Sequence, residues 1–334
     1  MDIATGKLVI AGKVISPPLL LAPMAGITHS AFRRLVADFG GHGALFTEML
    51  STRAICAEEV FSSPFTRKRP GEGNVIYQLG LIESDTIRRV IEKLSTLDPF
   101  GIDINLGCSA PEVKRRGGGI VLFEDRDRLR EVLTGVRSEW KGVLTVKCRL
   151  GNRSEAWQKR FIERLRIIED AGVDAVTAHP RFSDEKLKRN ARHEFFPWIA
   201  SQTHLPLIAN GDIADVADVQ MLLTKGQCSG CMIGRMAVVK PWIFRELSGA
   251  PTATIDYREI WNRFCNYTCE DFRPEKVMSR IREFGRYFSC NFFYGHELFR
   301  AAIGSQDLDT LRSRANDFLS RNPTLANEPS VSGI

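Results

Sequence analysis

Residues 143–179 read VLTVKCRLGNRSEAWQKRFIERLRIIEDAGVDAVTAH, and this stretch shows the repeating unit of the fold. It begins with a short run of β-branched and aliphatic residues at 143–147 and ends with a second such run at 174–179. Between the two runs, apolar residues recur at the spacing of an amphipathic helix. Two strands that are joined by a helix usually lie parallel and next to each other in one sheet, so the stretch predicts a βαβ unit.

The same alternation extends from residue 19 to about residue 250. Amphipathic helical patterns separate most of the eight runs that are predicted to be strands: Leu19–Ala22, Ala44–Thr47, Val75–Gln78, Gly101–Asn105, Val143–Lys147, Asp174–His179, Leu205–Asn210 and Gly230–Gly234. Eight such units fit a (β/α)₈ TIM barrel, an α/β fold of about 250 residues. A doubly wound open sheet is the alternative, although it would normally have fewer strands.

After Pro251 the pattern becomes purely helical. From Tyr257 to Leu319 the apolar and aromatic residues recur at helical spacing, which predicts a small helical bundle. The last residues, RNPTLANEPSVSGI, show no period and predict a loose tail. We therefore expect a barrel domain at 1–250, an all-helical domain at 251–322 and a disordered tail at 323–334.

Composition narrows the class of protein. The chain has 334 residues, of which 43% are hydrophobic, and no apolar run approaches the roughly 20 residues that a membrane-spanning helix requires. The first residues lack the pattern of a secretory signal, and eight cysteines are too few for a disulfide scaffold, so we expect a cytoplasmic protein with reduced thiols.

Charge suggests the kind of partner. The net charge of +6 permits a polyanionic partner without requiring one. Basic residues cluster at 67–69, 114–116, 186–192 and 273–300.

Polar residues and glycines follow nearly every predicted strand. In a TIM barrel the active site lies at the carboxyl ends of the strands, so these residues are expected to converge. They are Pro23, Met24, Ala25, Glu48, Gln78, Asn105, Lys147, His179, Asn210, Gly211, Asp212, Gly234 and Arg235. Cationic, amide and glycine-rich strand ends suit a planar heterocycle that carries a phosphate, and FMN is the natural candidate.

Cys108 lies in a glycine-rich loop directly after the fourth predicted strand. A thiol with an ordinary pKa near 8.5 is mostly protonated at neutral pH and can act as a general acid. Two other cysteine pairs, Cys228 with Cys231 and Cys265 with Cys269, have spacings found among metal ligands. Because Cys231 falls inside a predicted strand, we predict no metal site.

Seven segments give the sequence a family resemblance. They are LAPMAGITHSAFRRL, LFTEML, QLG, DINLGCSAPEVKRRGGG, TVKCRLG, IANGDI and MIGRMAVVKPWIF, in this order. With the helical region after them, they resemble the tRNA-dihydrouridine synthases, flavin enzymes that reduce specific uridines in tRNA. The resemblance covers residues 19–310.

The resemblance implies a role for each matching residue. The residues implied to hold FMN are Pro23, Met24, Ala25, Gln78, Lys147, His179, Asn210, Gly211, Asp212, Gly234 and Arg235. Cys108 would protonate C5 of the uracil after hydride transfer from flavin N5 to C6, and NADPH would reduce the flavin again. Asn105 would lie on the substrate side of the flavin, and Glu48 and Arg181 are further candidates for substrate contact. The implied partner is tRNA, with no membrane and no obligate protein partner.

Two loops depart from the family pattern. The chain reads GCS at 107–109 where the family usually has GCP, and HPRF at 179–182 where it has HGRT. Two alternative functions stay open at the level of sequence. One is an FMN-dependent oxidoreductase of small molecules, similar to a dihydroorotate dehydrogenase or an ene-reductase, and the other is a flavin- or RNA-binding protein without catalysis.

Overall fold

The computed structural model describes residues 3–185, 189–251, 254–329 and 331, and a closed barrel of parallel strands forms its centre. An antiparallel hairpin, β1 (Leu8–Ile10) and β2 (Lys13–Ile15), precedes the barrel. The later strands are β3 (Leu19–Leu21), β4 (Ala44–Phe46), β5 (Leu50–Ser51), β6 (Val75–Leu81), β7 (Gly101–Leu106), β8 (Val143–Arg149), β9 (Ala175–His179), β10 (Leu207–Asn210) and β11 (Gly230–Ile233).

Two pairings close the ring. β11 pairs with β3, and β4 pairs with β6, while the short β5 pairs with the far part of β6. All eight predicted strands are present, with ends that shift by up to three residues. The TIM-barrel prediction is therefore confirmed, and the open-sheet alternative is wrong because a closed ring has no edge strand.

Helices separate the strands and then continue as a bundle. In the barrel region they are α1 (Ser30–Phe39), α2 (Thr52–Ala57), α3 (Ile87–Ser95), α4 (Pro111–Arg115), α5 (Ile120–Glu124), α6 (Arg126–Glu139), α7 (Trp157–Asp170), α8 (Phe196–Ser201), α9 (Val216–Thr224), α10 (Arg235–Val239) and α11 (Ile243–Leu247). The helices that follow are α12 (Tyr257–Asp271), α13 (Pro274–Phe288), α14 (Gly295–Ile303) and α15 (Leu308–Ser320). The last four lie in the region predicted to be helical.

The hairpin was not predicted, and it closes one end of the barrel. Ala11 and Gly12 both have positive φ values, 48° and 77°, as the tight turn between twisted strands requires. Leu8, Ile10 and Ile15 pack with inward-facing strand residues such as Leu20 in one buried cluster. Because apolar side chains fill this end, the open cavity is at the other end.

The helical bundle is attached to the barrel through a buried carboxylate. Asp271, at the end of α12, accepts a hydrogen bond from Arg67 Nη1 at 3.0 Å and further ones from Arg69 and Ser30. Its side chain is only 1% exposed. Two members of the basic cluster at 67–69 therefore bind the protein itself instead of a partner.

The final stretch differs from the predicted loose tail over its described part. Leu325 forms a β-bridge with Phe292, and Phe293 N donates to Thr324 O at 2.9 Å. These bonds involve only backbone groups, which explains why a search for side-chain periodicity finds no signal there.

We expect Asp271→Ala to lower the free energy of unfolding by about 2–3 kcal/mol, since it leaves two partly buried guanidinium groups without their carboxylate. Urea denaturation measures the change. The matched control is Asp38→Ala, because Asp38 pairs with Arg263 from α12 at 3.3 Å in a more exposed position. That variant should lose less than about 1 kcal/mol, and equal losses would contradict the role given to Asp271.

Candidate active site

A cavity of about 560 Å³ lies at the carboxyl ends of the barrel strands. This volume suits a ligand of the size of a cofactor. Nine of the eleven predicted cofactor residues line it, namely Pro23, Met24, Lys147, His179, Asn210, Gly211, Asp212, Gly234 and Arg235. Arg181 also lines it, whereas Ala25, Gln78, Glu48, Asn105 and Cys108 are outside this lining set. The barrel thus brings together strand ends that are far apart in the sequence.

Lys147 extends from β8 into this cavity. Burial and, to a smaller extent, the neighbouring Arg149 lower the pKa of its ammonium group to about 8, although Asp103 acts in the opposite direction. Although its backbone is paired in the sheet, the ammonium group of Lys147 has no carboxylate within 4.0 Å and no hydrogen-bond partner in the described parts of the chain. Its positive charge is therefore available to a ligand in the cavity.

A carboxylate in the loop after β10 draws two guanidinium groups together. Asp212 accepts hydrogen bonds from Arg235 Nη2 at 2.8 Å, from the backbone N–H of Ala191 at 2.8 Å and from Arg181. Burial alone would raise the pKa of Asp212, but the bonds from Arg181 and Ala191 lower it below its ordinary value. The carboxylate is therefore ionised, and the group of three side chains carries one net positive charge.

His179 is neutral in this surrounding. Burial lowers the pKa of its imidazole well below the ordinary value, and the charges of Lys147 and Arg149 add to the effect. Its Nε2 lies 2.7 Å from Arg181 Nη1. Because a guanidinium can only donate, Nε2 accepts this bond and the ring proton must be on Nδ1.

Position 211, where the chain passes close to His179, requires a glycine. Its φ is +114°, and a Cβ atom there would lie 2.7 Å from His179 Cδ2. The next residue, Asp212, also has a positive φ of 51°. A larger residue at 211 would push the imidazole away from its place in the wall.

Gln78 is fully buried, does not line the cavity and supports its neighbours. Its Nε2 donates to Asp103 Oδ2 at 2.8 Å, and its Oε1 accepts from Asn105 Nδ2 at 2.9 Å. Thr145 Oγ1 donates to the other oxygen of Asp103 at 2.6 Å. Burial raises the pKa of Asp103 to about 6, although both hydrogen bonds oppose the rise. This network holds the amide of Asn105 in one orientation.

Asn105 in turn holds the loop that carries Cys108. Its Oδ1 accepts from the backbone N–H groups of Gly107 at 3.1 Å and Cys108 at 2.9 Å. Cys108 is partly buried, and its thiol acts electrostatically on both Lys147 and Arg149. The thiol therefore lies near the cationic part of the site.

Glu48 is buried beyond the end of β4. Its Oε2 accepts from the backbone N–H of Gly26 at 2.8 Å, whereas its Oε1 is buried without a partner among the described residues. Burial raises the pKa of this carboxyl group. A buried oxygen that lacks a donor is a candidate for contact with a ligand.

Sequence reasoning missed two parts of the cavity wall. Arg149 lines the cavity two residues after Lys147, and the alternation of side chains along β8 could have identified it. Glu328, Pro329 and Val331 line it from the end of the chain, where no sequence pattern pointed to them.

The basic clusters have different surroundings. Arg116 of the cluster at 114–116 lies 3.6 Å from Glu83, and Arg192 binds Glu185. Residues 186–188 lie outside the described residues.

Burial raises the pKa of both Cys228 and Cys231 to well above the usual range of a thiol. Among the residues described, no group of three His, Cys, Asp or Glu side chains could hold a metal ion.

No helix in the described part of the chain is both long and apolar enough to span a membrane.

Solved structures of low identity share the fold. A 2-naphthoyl-CoA reductase in complex with 2-naphthoyl-CoA has a TM-score of 0.55 at 12% identity, covering 75% of this chain and 53% of that one. TcOYE in complex with pHBA also has a TM-score of 0.55, at 9% identity, covering 80% of this chain and 98% of that one.

Sequence comparison gives a closer relation. "Probable tRNA-dihydrouridine synthase" of Helicobacter pylori J99 is 33% identical over 70% of this chain and 71% of its own length. The protein of the same name from Mycobacterium tuberculosis H37Rv is 28% identical over 89% and 81%. "tRNA-dihydrouridine synthase B" of Proteus vulgaris is 30% identical over 69% and 70%.

The family model described as dihydrouridine synthase (Dus) matches residues 20–286, which include all of the barrel strands except the first residue of β3 and every strand-end residue of the cavity. With this match over most of its length, the chain belongs to the dihydrouridine synthase family of flavin-dependent oxidoreductases.

Proposed function

We propose that this chain is a tRNA-dihydrouridine synthase that uses FMN and NADPH to reduce the C5=C6 bond of specific uridines in tRNA. The observation that carries the proposal is the convergence of Lys147, Arg149, Arg181 and Arg235 on one cavity, with a thiol in electrostatic range. Family membership supports the reaction, and the cationic wall suits an anionic, phosphate-bearing cofactor. Bound FMN, reduced by NADPH, would supply the hydride from N5 to C6 of the uracil.

Two parts of the wall suit two parts of the cofactor. We assign Arg235, Gly211 and Gly234 to the phosphate, because charged donors and close-approaching backbone suit phosphate oxygens. Arg181 shares Asp212 with Arg235, so we assign it to this end of the cofactor instead of to the uridine.

Lys147, neutral His179 and Asn210 would face the flavin ring, with Pro23, Met24 and Ala25 packed beside it. Lys147 would stabilise negative charge on the pyrimidine edge, as protein cations do when they tune a flavin. Gln78 would act indirectly, because both ends of its amide are used to hold Asp103 and Asn105.

Cys108 would donate the proton to C5 of the uracil. The hydrogen bonds from its loop to Asn105 hold it beside the cavity, which supports this assignment. Glu48 has one buried oxygen without a donor, and this supports its role in binding the uracil, whose N–H group could fill that position.

The helical region would bind the RNA. We propose that residues 1–250 form the catalytic domain and that residues 251–322 contact tRNA phosphates. In the described helices, Lys276, Arg286 and Arg300 have no carboxylate within 4.0 Å, so their charges are available. Extracting a uridine from its stack costs a few kcal/mol, which such contacts would offset. A tRNA substrate would place the reaction in the cytoplasm.

The direct test incubates the protein anaerobically with FMN, NADPH and tRNA that lacks dihydrouridine. We expect mass spectrometry of the nucleosides to show uridine that has gained one hydride and one proton. A protein that binds FMN and oxidises NADPH but leaves tRNA unchanged would instead support a small-molecule substrate. A protein with no NADPH oxidation would support the non-catalytic alternative.

Cys108→Ala should retain FMN but reduce uridine about 10²–10⁴ times more slowly, because it lacks the general acid. Single-turnover reduction of tRNA measures the rate. Cys56→Ala is the matched control, since Cys56 is a partly buried cysteine in α2 that does not line the cavity. Parent-like turnover by Cys108→Ala would exclude the thiol as the proton donor.

The affinity for FMN should depend on the charge of Lys147. The ammonium group, with its pKa of about 8, is charged below this pH and loses its charge as the pH rises through it. We therefore expect FMN affinity to fall by about tenfold between pH 7 and 9.5 in the parent protein. In Lys147→Met, affinity should already be low at pH 7 and should change little with pH. Fluorescence titration measures both, with the exposed Lys141→Met as the control. A pH dependence that survives in Lys147→Met would assign it to another group.

A further inference from the structure

The C-terminal segment, defined here as residues 323–329 with Val331, passes beside the proposed cofactor cavity. Glu328, Pro329 and Val331 line that cavity together with Gly234 and Arg235. The rest of the described wall comes from the barrel strands, the loops that directly follow them and the start of α10. One part of the wall therefore belongs to a segment that follows α15, the last helix of the bundle, in the sequence.

The segment is tied to the bundle through backbone groups. Ala326 N donates to Asn291 O at 2.8 Å, next to the bridge between Phe292 and Leu325. Asn291 Nδ2 donates to the carbonyl of Val239 at 2.7 Å, at the end of α10. Since α10 begins with Arg235, the anchor of the segment also contacts the helix that presents this guanidinium to the cavity.

Arg235 joins the segment to the site directly. Its Nη1 donates to the carbonyl of Val331 at 3.2 Å, while its Nη2 donates to Asp212 Oδ1 at 2.8 Å. The side chain of Arg235 is 14% exposed. The guanidinium is thus held from both sides, by a carboxylate of the barrel and by a carbonyl of the segment.

We propose that the C-terminal segment is a wall of the cofactor site that orients Arg235 and sets the rate at which the flavin leaves. The inference rests on the proposed function, since it assigns Arg235 to the phosphate of FMN. The strands cannot separate without opening the barrel, whereas the segment can leave after the loss of a few backbone hydrogen bonds. Local opening of this kind costs less than unfolding, so release of the cofactor would follow this route.

The segment also links the bundle to the cofactor. Because the bundle is the proposed RNA-binding region and carries Asn291 and Phe292, RNA bound there would act on the same anchor. The segment would therefore retain the cofactor as long as it stays anchored to Asn291 and Phe292 of the bundle.

The test compares the full chain with a chain that ends at Asn327, which keeps the bridge at Leu325 but lacks the three wall residues. Both are loaded with FMN and diluted, and the recovery of free-flavin fluorescence gives the release rate. We expect release to be about tenfold faster without the wall, as for the loss of one hydrogen bond to a charged group. Ser320→Ala, at the exposed end of α15, is the control and should release FMN at the parent rate.

A second variant leaves the chain length unchanged. Ala326→Pro removes the N–H group that donates to Asn291, so it should also accelerate release, whereas the conservative Ala326→Ser keeps the donor and should not. If the full chain binds FMN and both the shortened chain and Ala326→Pro release it at the parent rate, the role proposed for the C-terminal segment is refuted and the proposed function stands. If the full chain binds no FMN, the proposed function fails and this inference fails with it.

Discussion

Closure of the barrel is the constraint on which the site depends. The pairings of β11 with β3 and of β4 with β6 turn a row of strands into a ring, so that every strand end meets the others at one opening. Lys147, His179 and Asp212 come from different strands and share a wall only for this reason. The hairpin at the other end, with its buried apolar cluster, leaves this opening as the place where a ligand can enter.

The site collects positive charge at an energetic cost. Lys147, Arg149, Arg181 and Arg235 line one cavity. Two carboxylates, Asp212 and Glu328, line the same cavity, and Asp212 binds Arg181 and Arg235. Burial, and after it the repulsion between neighbouring cations, explain why the pKa of Lys147 is lowered and why His179 stays neutral. An anionic cofactor would relieve this repulsion, which gives a physical reason for such a concentration of cations.

Residues below and beside the cavity matter as much as those that line it. Gln78 was expected to touch the cofactor, yet its amide connects Asp103 with Asn105, and Asn105 holds the loop of Cys108. Arg181 was expected to contact the uridine, yet it is buried and shares Asp212 with Arg235. The contacts of these two residues are the basis of the roles proposed for them above.

The sequence by itself determined the barrel and most of the wall. Strand and helix periodicity are local properties, and strand ends in a TIM barrel must converge, so Lys147, His179, Asn210 and Arg235 could be placed from their positions along the chain. Only the tertiary structure decided which side chains bind one another. The pairing of Arg67 and Arg69 with Asp271, and the return of Val331 to Arg235, join groups far apart in the chain, and neither has a periodic signal. Such contacts depend on the packing of whole domains and on backbone carbonyls, which are the same in every residue and leave no mark in the sequence.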